Sequence, residues 1–198
     1  QDVNAFKIGA LGTTITLTSL YLVLGQASNI IGVILAAPVS NIIGKKNTYI
    51  GAMTIATALS IAFFWFGKNQ LISIYIFQFL ISICAGSIFP LLWSMYADCA
   101  DFSEWKTGNR ATGLIFSSSS MSQKFGWTIG GALTGWLLAY FGFHANVVQS
   151  TEAQTGIRMM LSFLPAIGTV LSIVFISFYP LSEKKMKEIG IELDLKRK

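Results

Sequence analysis

Five long apolar segments divide this chain, and their lengths limit what it can fold into. Each is close to the ~20 residues that an α-helix needs to cross the ~30 Å hydrocarbon core of a lipid bilayer. Polar segments such as GKKN at 44–47 and GKNQ at 67–70 separate them. The predicted membrane spans are 19–43, 48–66, 71–95, 112–141 and 157–180, and a charged tail follows at 181–198.

The composition supports the same class of protein. The 198 residues are 53% hydrophobic and only 12% charged, whereas soluble domains average about 25% charged residues. That leaves too little polar surface to coat a water-soluble globule, and the apolar segments are not the short alternating strands of a membrane β-barrel. The sequence therefore predicts an all-α integral membrane protein surrounded by lipid.

Motifs for catalysis or metal binding do not occur in the sequence. It contains no phosphate-binding P-loop, no HExxH, no GxSxG and no dinucleotide glycine fingerprint. The serines at 117–120 have no nearby histidine or acid to activate them, Cys84 and Cys99 are too far apart for a CxxC pair, and His144 stands alone. We expect no enzyme, no metal site and no resident cofactor. In this class of protein the net charge of +5 reports membrane topology more often than nucleic-acid binding.

Lysine and arginine are distributed unequally over the predicted loops. If 44–47, 96–111 and the tail share one side, that side holds ten of the fourteen basic residues, and the other side holds three. Because cytoplasmic loops carry the excess of basic residues, the C-terminus is predicted to be cytoplasmic and the N-terminus external. An external start without an initiator methionine or signal peptide indicates that further helices precede this chain. The short loops fit a bacterial inner membrane.

Lys124 is the remaining basic residue, and it falls inside the fourth predicted span. Lysine at the centre of a membrane helix costs about 2.5–3.5 kcal/mol on insertion scales. One helix face carries Ser117, Ser120, Lys124, Thr128, Gly131 and Gly135, at spacings of three or four residues. Lys124 either packs its stem on neighbours, with its head on carbonyls or water, or lines a water-filled cavity opposite acidic side chains. No predicted span contains an acid, so such acids must come from outside them.

Small and aromatic residues predict further contacts between helices. Gly126 and Gly130, like Gly131 and Gly135, form GxxxG pairs that allow close helix approach. On the third span, Gln78, Ser82, Phe89 and Trp93 share one predicted face. Trp93 is either an aromatic platform for the apolar face of a sugar ring or an anchor at the membrane interface.

Charges cluster between the third and fourth spans and in the tail. Asp98, Asp101 and Glu104 recur every three residues, with the basic residues Lys106 and Arg110 after them. They form either ion pairs that latch one face of a moving bundle or a solvated loop. In the tail, Met186, Ile189 and Leu193 are spaced as on an amphipathic helix, which either lies on the inner leaflet or is frayed and solvated.

The run WSMYADCADFSEWKTGNRATGLIFSSSSMSQKFGWTIGGALTGWLLAYFGF at 93–143 resembles one known family. Its elements are W-x-x-x-A-D-x-x-D-F-x-E-W-K, then T-G-x-R, and then a serine-containing turn before K-x-G. NVVQSTEAQTGIRMMLSFLPAI at 146–167 and GKK at 44–46 extend the likeness. This pattern is similar to the glycoside–pentoside–hexuronide (GPH):cation symporters.

The resemblance implies the major facilitator superfamily fold, with two six-helix halves around a central cavity. This chain would supply helices 8–12 of the C-terminal half and would need the N-terminal half of the same transporter as its partner. In that family a small-molecule sugar and a monovalent cation, Na⁺, H⁺ or Li⁺, move together by alternating access. Most acids of the cation site lie in the N-terminal half, so the cation is cargo of the complete protein.

The resemblance also implies roles for particular residues. Trp93, Ser120, Gln123 and Lys124 match positions near the sugar, and Lys124 is also beside or within the cation-coupling site. Ser120 and Gln123 depart from the family pattern, so the motif does not identify the sugar. A cytoplasmic gate network is implied for Asp98, Asp101 and Arg110.

The sequence leaves other functions open besides sugar symport. A transporter of the same fold could carry a lysolipid or another amphiphile, which a cavity with more apolar side chains than hydroxyls would favour. A channel should have rings of polar side chains at a constriction, and a membrane enzyme should have a reactive pair. These features do not occur in the sequence. We expect residues 1–198 by themselves to act at most as a scaffold, without transport.

Overall fold

Helices dominate the computed structural model, which describes residues 5–7, 14–66, 70–145, 147 and 149–197. The helices are α1 (Leu17–Ile43), α2 (Lys45–Phe63), α3 (Leu71–Thr107), α4 (Thr112–Tyr140), α5 (Thr151–Ser177) and α6 (Glu183–Arg197). Two three-residue strands, β1 (Ala5–Lys7) and β2 (Thr14–Thr16), pair antiparallel before α1. The predicted helical membrane architecture is confirmed.

Three of the described helices are long and apolar enough to cross a membrane, judged by length and composition: α1 from Ser19, α3 and α5. The other two predicted spans coincide with α2 and α4, which are more polar. Helix α2 begins with two lysines and an asparagine, and α4 carries the serine run together with Gln123 and Lys124. The assignment of five spans stays a prediction.

The charged segment after the third predicted span is a helix rather than a loop. Helix α3 continues without interruption to Thr107, although the sequence predicted a membrane exit near 95 and a loop from 96 to 111. Acidic residues three positions apart are compatible with a helix, and the helix continues without interruption up to Thr107. Gly108 has φ +76° and accepts the left-handed conformation that ends α3. Charge therefore marked the end of the apolar segment and not the end of the helix.

Helices α1 and α3 lie in direct backbone contact. A Cβ atom added at Gly32 would be 2.1 Å from the carbonyl oxygen of Ile83, and one at Gly86 would be 2.2 Å from that of Asn29. At Gly25 a Cβ atom would meet the side chain of Gln78 at 2.7 Å. Only glycine allows this approach, which brings the two helices together by close van der Waals contact.

Helix α2 packs against both α3 and α5. The hydroxyl groups of Thr57 and Thr169 are hydrogen-bonded at 2.6 Å, and Tyr49 bonds Ser172 in the same interface. Tyr49 also belongs to the buried apolar cluster with Ala36 and Leu91. The core of the described chain therefore lies where α1, α2 and α3 meet, and α5 is attached through α2.

Helix α4 stands apart from this core. It contacts α3 and α5 only sparsely, and none of its residues is buried. A Cβ atom at Gly126, Gly130, Gly131 or Gly135 would meet no heavy atom of the described chain within 4 Å. The close helix approach that these GxxxG pairs predicted does not occur within the described residues.

The tail forms helix α6, which docks on the rest of the chain. Ile189 and Leu193 are only 2% and 4% exposed, and α6 contacts α3. The indole N–H of Trp105 donates to Glu192 at 2.6 Å, and the backbone N–H of Lys45 donates to Glu183 at 3.0 Å. Of the two alternatives that the sequence left open, the tail is a helix, and its apolar face packs on protein because α3 extends far enough to receive it.

Candidate functional site

A groove between α3 and α4 brings together three of the residues that the sequence singled out. Its volume is about 310 Å³. Helix α3 contributes Phe89, Leu92, Trp93 and Tyr96, and α4 contributes Ser119, Ser120, Ser122 and Gln123. We call this cavity the α3–α4 groove. The predicted binding residues Trp93, Ser120 and Gln123 therefore share one surface.

The two walls of the α3–α4 groove differ in chemistry. The α3 wall is aromatic and aliphatic, and Trp93 on it is 45% exposed. The α4 wall carries three hydroxyl groups and an amide. The Ser119 hydroxyl donates to the carbonyl of Ile115. The side chains of Ser120, Ser122 and Gln123 have no hydrogen-bond partner among the described residues. An apolar platform opposite free donors and acceptors suits a ligand with one apolar face and a polar rim.

Lys124 lies beside the groove but does not line it. It follows Gln123 directly on α4, four residues after Ser120, and its side chain is exposed. Its backbone carbonyl accepts a hydrogen bond from Thr128 at 2.9 Å, and no described side chain forms an ion pair with its ammonium group. The described residues therefore leave the ammonium group of Lys124 exposed and without a carboxylate partner.

Helix α1 covers one half of the predicted polar face of α3. Gln78 accepts a hydrogen bond from the Tyr21 hydroxyl at 2.6 Å, and Ser82 is buried close to Gly25. Further along α3, Phe89 and Trp93 open into the groove. Gln78 and Ser82 thus join α1 to α3, and only the second half of this face is available to a ligand.

Asp98 joins three elements at the charged end of the bundle. Its carboxylate accepts two bonds from the Lys45 ammonium, at 2.8 and 2.7 Å. The hydroxyl of Tyr179, which lies beyond α5, donates to Asp98 at 3.4 Å. Burial, reinforced by the charge of Asp98, raises the pKa of the Tyr179 phenol, so the phenol remains a neutral donor. Asp98 therefore ties α3 to the start of α2 and to the end of α5.

Asp101 and Arg110 form a second, separate ion pair. The Arg110 guanidinium is 2.9 Å from Asp101 and 3.8 Å from Glu104. This group lies at the turn from α3 to α4, and the Arg110 side chain is 47% exposed. The three residues predicted as one gate network thus belong to two groups, one of which has Lys45 in it.

Sequence reasoning missed several residues that the fold brings to these sites. Tyr96 and Phe116 contact Trp93, yet isolated aromatic residues are common in membrane helices and carry no spacing signal. Lys45 was counted only as a topology marker, since nothing in GKK indicates a carboxylate partner 53 residues later. Both omissions concern contacts between elements that are distant in sequence.

The cysteines and the histidine do not line the α3–α4 groove, and they are not members of the two ion-pair groups. Cys84 and Cys99 are half-buried free thiols. The backbone N–H of His144 donates to the Gln149 side chain in the turn between α4 and α5, where the His144 side chain is exposed. Among the described residues no group of three or more His, Cys, Asp and Glu side chains is placed to hold a metal ion.

Comparison with known proteins gives a consistent result over almost the whole chain. Residues 10–183 match the family described as MFS/sugar transport protein. The chain is 35% identical over 185 residues to the glucuronide carrier protein homolog of Escherichia coli (strain K12), which covers 91% of this chain and 40% of that protein.

Two further relatives carry transport names. The isoprimeverose transporter of Lactiplantibacillus pentosus is 35% identical over 158 residues, covering 79% of this chain and 32% of that protein. The inner membrane symporter YicJ of Escherichia coli (strain K12) is 31% identical over 167 residues, covering 83% and 36%. The chain therefore spans between 32% and 40% of the length of these relatives.

Proposed function

Because this chain belongs to the MFS/sugar transport protein family, we propose that it is part of a secondary active transporter that moves a sugar with a monovalent cation. Three relatives are named as a glucuronide carrier homolog, an isoprimeverose transporter and a symporter. These names support a glycoside, pentoside or hexuronide as the proposed solute. The proposed mechanism is alternating access around a site near the middle of the membrane.

The observation that carries this proposal is the α3–α4 groove. A sugar ring presents C–H bonds on its faces and hydroxyl groups around its rim. Trp93 offers an aromatic surface to the face, and Ser120 and Gln123 on the opposite wall hydrogen-bond the rim. In the complete transporter this groove is one wall of the central cavity, and the N-terminal half supplies the other wall.

Lys124 is proposed to couple the cation to the sugar. Its ammonium group pairs with carboxylates of the N-terminal half, which offset the cost of a charge at membrane depth. A bound Na⁺ or proton changes the charge of those carboxylates and thereby changes the position of Lys124 beside Ser120 and Gln123. The cation is cargo and not a resident cofactor, and no enzymatic step is proposed.

The charged end of the bundle is proposed to lie at the cytoplasmic face of a bacterial inner membrane. Lys45, Lys46 and the basic tail then obey the positive-inside rule. Asp98 and the Asp101–Arg110 pair serve as parts of the inner gate, where ion pairs hold helix ends together until the cavity opens inward. The C-terminus is cytoplasmic in this arrangement.

A transporter of the same fold that carries an amphiphile such as a lysolipid is the second candidate. The aromatic α3 wall is compatible with it, but the unpaired hydroxyls and amide of the α4 wall favour a polyhydroxylated solute. The names of the glucuronide carrier homolog and of the isoprimeverose transporter also favour a sugar. An uptake panel that contains both solute classes separates the two candidates.

The deciding experiment is uptake by the complete parent protein in membrane vesicles. Labelled glycosides, pentosides, hexuronides and a lysolipid are tested under an imposed Na⁺ gradient and then an imposed H⁺ gradient. We expect one gradient to drive accumulation of a sugar, and we expect Lys124→Ala to lower accumulation at least tenfold at equal expression. A tenfold loss corresponds to about 1.4 kcal/mol.

Lys187→Ala is the matched control, because Lys187 is an exposed lysine of α6 far in sequence from the groove. It should leave accumulation within twofold of the parent protein. Accumulation that survives Lys124→Ala would remove Lys124 from the coupling site while leaving sugar transport intact. Accumulation of the lysolipid and of none of the sugars would replace the first candidate by the second.

A further inference from the structure

Three aromatic rings hold one end of the α3–α4 groove together. Phe116 of α4 stacks on Trp93 of α3, with ring centroids 5.4 Å apart and planes 30° apart. Tyr96, one turn further along α3, meets Phe116 edge-on at 6.2 Å and Trp93 edge-on at 6.2 Å. Each ring therefore contacts both of the others.

Phe116 is the member of this cluster that does not line the groove. Trp93 and Tyr96 both do, whereas Phe116 is half-buried behind them. Stacking covers part of the Trp93 indole and leaves 45% of the residue exposed. The contact thus limits the indole to orientations in which its uncovered surface is turned toward the groove.

The cluster also positions the two walls relative to each other. Helix α4 has no buried residue, and its contacts with α3 are sparse. The ring contacts between α3 and α4 within the described ranges are those of Phe116 with Trp93 and Tyr96. Phe116 lies one turn before Ser119 and Ser120, so a change in its packing moves the polar wall as well as the platform.

We propose that Phe116 is a positioning residue for solute recognition, acting through Trp93. This inference rests on the proposed function, in which Trp93 receives the face of a sugar ring. Phe116 does not touch the solute. It holds the Trp93 indole at a fixed orientation and distance from Ser120. Sugar binding therefore does not have to immobilise the indole first.

The test is made in the complete parent protein with a sugar that it accumulates. Aromatic pairs are worth about 0.5–1.5 kcal/mol beyond their buried area, which corresponds to roughly a 2- to 13-fold change in affinity. We expect Phe116→Leu to raise KM for sugar uptake within that range and to leave Vmax within about twofold of the parent. Phe116→Tyr keeps the ring, and its KM should be close to that of the parent.

Trp136→Leu is the matched control on the same helix. Trp136 stacks on Tyr140 with the same 30° angle, at 6.1 Å, but neither residue lines the groove. This variant should leave KM unchanged. A similar increase in KM in Trp136→Leu and Phe116→Leu would attribute the effect to general loosening of α4 and would overturn the inference.

Three other outcomes would also overturn it. The first is an unchanged KM in Phe116→Leu, and the second is a KM in Phe116→Tyr as high as that in Phe116→Leu. The third is loss of protein from the membrane in both Phe116→Leu and Phe116→Met, which would make the ring a requirement for folding. Failure of the proposed function is distinct, because the parent protein would then accumulate no sugar at all, and the inference would fall with it.

Discussion

Helix α3 contacts α1 and α4 in opposite ways. Against α1 it forms backbone contacts so close that Gly32 and Gly86 leave no space for a Cβ atom. Against α4 it leaves a groove bridged by aromatic rings, and the four GxxxG glycines of α4 face open space in the described chain. Glycine therefore occurs in two different packing environments. On α1 and α3 it allows a close contact between helices, whereas the glycines of α4 are in no close contact with the described residues.

This difference separates the closely packed helices from the groove that is proposed to bind a solute. The helix pair α1–α3, with α2 and α5 attached, forms the scaffold. Helix α4 carries the polar residues and the lysine on a surface that the scaffold does not cover. A transporter needs such a division, because one side of its cavity must stay accessible while the helices behind it stay packed.

The largest expected effect comes from adding a side chain at the close contact. Gly86→Leu in the parent protein should lower the free energy of unfolding by roughly 3 kcal/mol or more, because the obstructing atoms are backbone. Gly130→Leu, with no heavy atom of the described chain within 4 Å, should leave thermal unfolding of the purified protein nearly unchanged. Equal losses in the two variants would mean that α4 is packed as tightly as α1.

The next effect concerns the two ion pairs of the C-terminal part of α3. Asp98→Asn leaves the Lys45 ammonium, which is 24% exposed, without its carboxylate, and it should cost about 2 kcal/mol. Arg110→Ala removes a more exposed pair at the α3–α4 turn and should cost less than about 1 kcal/mol. Denaturation midpoints of the two variants measure the difference, and the double charge exchange Lys45→Asp with Asp98→Lys should recover part of the first loss. A greater loss of stability in Arg110→Ala than in Asp98→Asn would contradict this prediction.

The smallest effect compares two threonines with different partners. Thr57 bonds across helices to Thr169, so Thr57→Val should cost about 1 kcal/mol. Thr134 bonds only the carbonyl of Gly130 on its own helix, at 2.8 Å, and Thr134→Val should be neutral within about 0.5 kcal/mol. Thermal unfolding of both variants in one detergent tests this. A loss in Thr134→Val as large as that in Thr57→Val would indicate a partner for α4 in the complete protein.

Much of the candidate site could be predicted from the order of residues alone. Helical periodicity places Ser120 and Lys124 on one face without any tertiary information, and the resemblance to the family adds Gln123 to them. Lys124 was prominent because a lysine in an apolar segment is costly wherever the segment packs. Trp93 was predicted from its place on one face of the third span and from the motif, and it lines the groove, while its role in binding stays a prediction.

The partners of these residues could not be predicted in the same way. Asp98 was expected in one network with Asp101 and Arg110, its neighbours in sequence, but it pairs with Lys45 from the α1–α2 junction. The phenyl ring of Phe116 reaches Trp93 from a different helix. The sequence left open whether the tail is a helix on the inner leaflet or a frayed, solvated segment, and only the unexpected length of α3 provides a protein surface for Ile189 and Leu193.

The sequence by itself determined the class of the protein, the positions of its helices and its family, because these depend on the length and polarity of local segments and on a motif read along the chain. Only the tertiary structure decided which charges pair, where α3 ends, what covers the apolar face of α6 and how α3 and α4 enclose a groove. Those outcomes depend on distances between residues far apart in the chain. Such distances follow from helix packing, which no local pattern records.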